Sequence, residues 1–84
     1  MNTKGQIAEL IIEAEKIGLP EDDIANARKY LEYNENGLAL DTILTQLHEY
    51  DIPITESFYQ KAERIAKAMK LPVSEYSYIK VLIK

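Results

Sequence analysis

The stretch Gly37-Leu38-Ala39-Leu40-Asp41-Thr42-Ile43-Leu44-Thr45-Gln46-Leu47-His48-Glu49-Tyr50-Asp51-Ile52-Pro53-Ile54 decides how this chain folds. Leu40, Ile43, Leu44 and Leu47 recur at helical spacing, which predicts an amphipathic helix from Leu38 to Tyr50. Asn34-Glu35-Asn36-Gly37 before it is a turn-rich cluster. Pro53 disfavours helical backbone at the residue preceding it, so Asp51-Ile52-Pro53-Ile54 is a connector. One apolar stripe on one helix needs other apolar stripes to cover it, and the segment therefore asks for a helical bundle. Asp41, Glu49 and Asp51, with Tyr33, Glu35 and Tyr50 close by in sequence, cannot all join a core. They leave an acidic, aromatic face suited to a basic partner.

The flanking sequence supplies the other helices. A first helix is expected from about Thr3 to Ile17, with Ile7, Leu10, Ile11, Ala14 and Ile17 on one stripe. Gly18 stands just past the last periodic residue, where a left-handed cap is wanted. Pro20 opens a second helix, and Glu21, Asp22 and Asp23 follow at the positive end of its dipole. Ile24, Ala27, Leu31 and Tyr30 are its inward candidates. Thr55 is placed to cap a fourth helix, with Ile54 and Tyr59 spaced as a hydrophobic staple. Phe58, Ala62, Ile65, Ala66 and Met69 line its inner side, and Leu71-Pro72 ends it. From Ser74 to Lys84, Tyr76, Ile79 and Ile83 fit a helix, while the β-branched and aromatic content also suits a strand. A lone strand would have nothing to pair with, so a short fifth helix is expected. The fold class is thus all-α: four main helices and a short C-terminal one in a single domain, residues 1–84.

Composition removes several function classes. The chain has 84 residues and no cysteine, which excludes disulfides and cysteine metal sites. Its apolar runs are short, and Glu9 and Glu13 interrupt the one a signal peptide would need, so the chain reads as cytoplasmic. Residues 1–51 carry eleven acids against four bases, a balance of −7; residues 52–84 carry three acids against six bases, +3. The acidic part repels nucleic acid and attracts basic proteins, although a solvated surface is the simpler account of charge alone.

Catalytic equipment is nearly absent. His48 is the single histidine, so no ordinary zinc set can form. His48 and Glu49 are adjacent on a helix and point in different directions, a poor general acid–base pair. The three glycines stand alone, which leaves no phosphate loop, and Asn34-Glu35-Asn36-Gly37 lacks calcium-loop spacing. No catalytic residue, cofactor site or metal site is expected. Small acidic bundles of this size include acyl carrier proteins, but Leu38-Ala39-Leu40-Asp41 has Ala39 where the attachment serine would stand.

The run from Tyr30 to Ile43, then Gln46-Leu47-His48-Glu49-Tyr50-Asp51-Ile52-Pro53-Ile54, with Tyr59 and Ile65-Ala66-Lys67-Ala68-Met69 beyond, resembles the MafI family of bacterial immunity proteins. The resemblance covers nearly the whole chain and is most specific at Leu47 to Ile54. The family commonly carries a tryptophan near its C-terminus; this chain has none, and Tyr76 or Tyr78 would serve instead. Membership would imply binding without catalysis: a cognate toxin domain, commonly an RNase of the EndoU class, is neutralised by covering its active site or substrate surface. Asp41, Glu49 and Asp51, with Glu35, would then supply charge, and Tyr33 and Tyr50 contact area. The expected partner is thus a basic toxin domain, with no direct nucleic acid and no membrane. Within the face, the Glu49-Tyr50-Asp51 end is favoured, because carboxylates at a helix C-terminus are unfavourable for the isolated fold. The Asp22-Asp23 end of the second helix is the next candidate. A helical adaptor for some other basic protein is the competing reading.

Overall fold

The computed structural model describes residues 2–84. It contains α1 (Thr3–Lys16), α2 (Glu21–Glu32), α3 (Asn36–Glu49) and α4 (Glu56–Ala68), followed by two 3-10 turns, Val73–Glu75 and Ser77–Leu82. The all-α bundle is therefore present, and one contiguous core runs through it. Of the ten residues expected at its centre, Leu10, Ile11, Leu31, Leu40, Ile43, Leu44, Leu47, Phe58 and Ile65 are buried. Met69 is only partly buried, because it sits at the cap of α4 where the helix leaves the core.

The helix ends share one device. Gly18, Asn34, Asp51 and Lys70 all have positive φ, and each follows the C-cap of its helix. The next N–H then reaches back to the last turn: Leu19 to Ala14 O, Glu35 to Tyr30 O, Ile52 to Leu47 O and Leu71 to Ala66 O. This is the Schellman arrangement, which satisfies carbonyls that the helix itself leaves free. In three cases a proline follows at once, Pro20, Pro53 and Pro72, and stops the helix from continuing. Only Gly18 adopts the left-handed conformation without a side-chain penalty. Lys70, at φ 60°, gains nothing local in return. Lys70→Gly is expected to stabilise the fold by about 0.5–1 kcal/mol, read as a higher melting temperature. An unchanged or lowered midpoint would contradict this.

The helix starts are equally local. Asn2 Oδ1 accepts from Gly5 N–H at 2.9 Å and caps α1. A Cβ on Gly5 would come within 2.7 Å of that Asn2 side chain, so the glycine leaves room for the cap. Thr55 caps α4 by accepting from Phe58 N–H at 3.0 Å, and Ile54 and Tyr59 are both buried as the staple requires. α3 starts two residues earlier than its apolar pattern, at Asn36, because the tight end of α2 leaves Glu35 as its cap.

The C-terminal segment differs from the expected α-helix in two ways. It is 3-10, and its buried residues are Tyr76, Ile79 and Leu82, with Ile83 only partly buried. A 3-10 helix has three residues per turn, so side chains three apart stack on one line. The spacing 76, 79, 82 fits that period, and β-branched neighbours weaken the α alternative. Ile83 also finds a partner after all. It forms a parallel bridge with Ile54, where Ile54 N–H donates to Leu82 O at 2.9 Å and Lys84 N–H to Ile54 O at 3.2 Å. The segment contacts both α3 and α4, while α4 otherwise packs on α1. It acts as a wedge between two helices that are consecutive in sequence. No helix among the described residues is long and apolar enough to cross a membrane.

Candidate functional site

α2 and α3 form an antiparallel hairpin across a three-residue turn, the most extensive pairing in the fold. Antiparallel packing puts the start of α2 beside the end of α3. The two acidic ends weighed separately in the sequence, Asp22-Asp23 and Glu49-Tyr50-Asp51, therefore belong to one pole of the molecule. The direct link is Gln46 Nε2, which donates to Asp23 Oδ1 at 2.9 Å. Tyr50 lies close enough for the Asp23 charge, first, and partial burial, second, to raise its pKa above the ordinary tyrosine value.

All six expected contact residues, Tyr33, Glu35, Asp41, Glu49, Tyr50 and Asp51, are exposed, Tyr33 at 68% and Tyr50 at 49%. They do not form one cluster. Tyr33 and Glu35 lie at the turn end of the hairpin, and Glu49, Tyr50 and Asp51 at the other. A helix of this length spans about 20 Å. Asp41 sits between, on the flank of α3, where it accepts a long hydrogen bond from Thr45 Oγ1 at 3.4 Å. Asp51 also has a structural task, because it is the left-handed residue that ends α3, a conformation aspartate tolerates better than most.

The electrostatics single this face out. The ion pairs among the described residues are Arg28–Glu15, Lys61–Glu13 and Lys67–Glu63. None involves Asp22, Asp23, Glu35, Asp41, Glu49 or Asp51. Lys29 is the cation closest to the aromatic end, beside Tyr30 and Tyr33. No group of three or more histidine, cysteine or carboxylate side chains among the described residues is arranged to hold a metal ion. His48 is exposed and stacks edge-on against Tyr78, with ring centroids 5.3 Å apart.

Three residues of the face escaped the sequence reading. Tyr30, expected to turn inward, is 38% exposed. Asp23, expected to serve only the helix dipole, is 8% exposed. Tyr78 packs on His48, and its hydroxyl lies 3.3 Å from Thr45 Oγ1; burial raises its pKa. The signal for the first two was available. Asp23, Asn26, Tyr30 and Tyr33 recur at helical spacing and form a second stripe on α2 beside the apolar one. With Asp41, Thr45 and Gln46 of α3, most of this stripe borders an open groove. No family model, curated protein or solved structure matches this chain.

Proposed function

We propose that this chain is a cytoplasmic binding protein of the immunity type, which neutralises a basic bacterial toxin domain without turnover of its own. The observation that carries the reading is the α2–α3 face. Its carboxylates are free of cationic partners, and Tyr30, Tyr33 and Tyr50 stand exposed among them. Elsewhere the acids find partners: Glu13, Glu15 and Glu63 each meet a lysine or arginine. Unpaired carboxylates steer a basic surface into contact, and tyrosines supply rigid contact area at low entropic cost. The resemblance to MafI immunity proteins in Leu47 to Ile54 falls on the same face. A nuclease is the toxin class this surface suits best, because its phosphate-binding cleft is basic and carboxylates can occupy it in place of phosphate.

The test is survival. Co-expression with the toxin domain encoded in the neighbouring reading frame should rescue growth, and His48→Ala should rescue equally well. Failure of the wild-type chain to rescue would remove the reading. Charge reversal by Glu49→Lys together with Asp51→Lys should slow association with that toxin about tenfold at low salt. The free protein should melt at the same temperature or slightly higher, since both substitutions favour the negative end of the α3 dipole. Calorimetry beside a thermal melt reads both; unchanged affinity would place the interface elsewhere.

A further inference from the structure

Asp23 is an anomaly on this face. Carboxylates are almost never so deeply buried unless a cation accompanies them. At 8% exposure, Asp23 has no lysine, arginine or histidine at ion-pair distance among the described residues. Gln46 donates to Oδ1 at 2.9 Å, but a neutral amide leaves the charge in place. The Tyr50 hydroxyl is near, yet outside hydrogen-bonding geometry, so Oδ2 has no side-chain donor. The start of α2 contributes about half a positive charge, which helps the fold tolerate the carboxylate. It does not explain why the residue borders an open groove with a second unpaired carboxylate, Asp41, on the opposite helix.

The groove between α2 and α3 is bordered by Asp23, Asn26 and Tyr30 on one side and Asp41, Thr45 and Gln46 on the other, and no cation lines it. We propose that it seats one arginine side chain of the basic protein partner, with Asp23 as the charge anchor, Asp41 as the second carboxylate and Tyr30 as the aromatic wall. This rests on the reading of the face as a protein-binding surface. A guanidinium carries five N–H donors in one plane, and the groove presents carboxylate, amide and hydroxyl oxygens to receive them. Its flat face stacks on a tyrosine ring, which an ammonium does less well. A divalent cation fits poorly, since it needs a cage of six or more oxygens.

The test uses this protein alone and a blocked tripeptide, acetyl-Gly-Arg-Gly-amide, with acetyl-Gly-Lys-Gly-amide as comparator at matched ionic strength. Backbone and side-chain amide shifts of Asn26, Thr45 and Gln46 are followed by NMR. The arginine peptide should give saturable shifts at these groups, and the lysine peptide should bind about tenfold more weakly. Asp23→Asn, which keeps the size and the Gln46 acceptor, should weaken arginine binding about tenfold or more. Asp41→Asn lies at an exposed position and should weaken it severalfold with the fold intact, so the idea remains testable if Asp23→Asn folds poorly. Absence of saturable shifts in the wild-type protein overturns the assignment, as does undiminished binding by both folded variants. Growth rescue is judged separately: rescue without arginine binding removes the groove assignment alone, and arginine binding without rescue removes the toxin-neutralising reading.

Discussion

Tyr76→Ala is expected to cost about 3–5 kcal/mol, the range for removing a large buried aromatic ring. A domain of this size has a total stability of about 5–15 kcal/mol, so the variant should be largely unfolded or close to it at ordinary temperature. Tyr76 is 2% exposed although it lies near the end of the chain. Its ring packs against Tyr59 at 6.4 Å between centroids, and the turn that follows it contacts both α3 and α4. Removal of the ring empties the wedge between those helices, and no neighbouring chain can refill it, because Tyr59 is itself held by its own burial and by Lys80 above its ring. Urea denaturation followed by circular dichroism measures the loss. A cost under about 1 kcal/mol would mean that the last turn is a detachable strap and no part of the core.

Leu44→Ala should cost about 2–5 kcal/mol. Leu44 is 1% exposed near the middle of α3, and α3 packs against α1, α2 and the second 3-10 turn. A cavity at that position is walled by several elements, which restrains the collapse that would reduce its cost. For a domain of 60–100 residues each kcal/mol lowers the melting temperature by about 4–8 °C, so the midpoint should fall by at least about 10 °C. The α2–α3 face should survive this change in the fraction that remains folded, because Leu44 touches none of its polar groups. Affinity for the toxin, corrected for the folded fraction, should therefore stay near the wild-type value. A specific loss of affinity beyond that correction would show that the apolar and polar sides of α3 are coupled.

The helical bundle was legible because its signals are local. Leu40, Ile43, Leu44 and Leu47 encode one buried side of α3 through spacing alone, and all four are buried. Leu19-Pro20, Ile52-Pro53 and Leu71-Pro72 mark helix ends through backbone sterics that act within a few residues. Thr55 caps α4 with a donor only three residues away. The exposure of Tyr33, Glu35, Asp41, Glu49, Tyr50 and Asp51 was legible for the same reason, since none falls on an apolar stripe.

What the chain alone did not reveal depends on residues far apart in sequence. The bridge between Ile54 and Ile83 exists because α4 returns the chain to a position that local propensity cannot describe. The choice of 3-10 over α for the last turn follows from the line of contacts that Tyr76, Ile79 and Leu82 make with α3 and α4. Asp23 reads in sequence as one more acid at a helix start. Only the packing of α2 on α3 buries it, brings Gln46 to its carboxylate and sets Asp41 on the opposite side of the same groove. Periodicity and capping act over one or two turns and so are written in the order of residues, whereas burial of a charge is a property of the space between two helices, which exists only once they have packed.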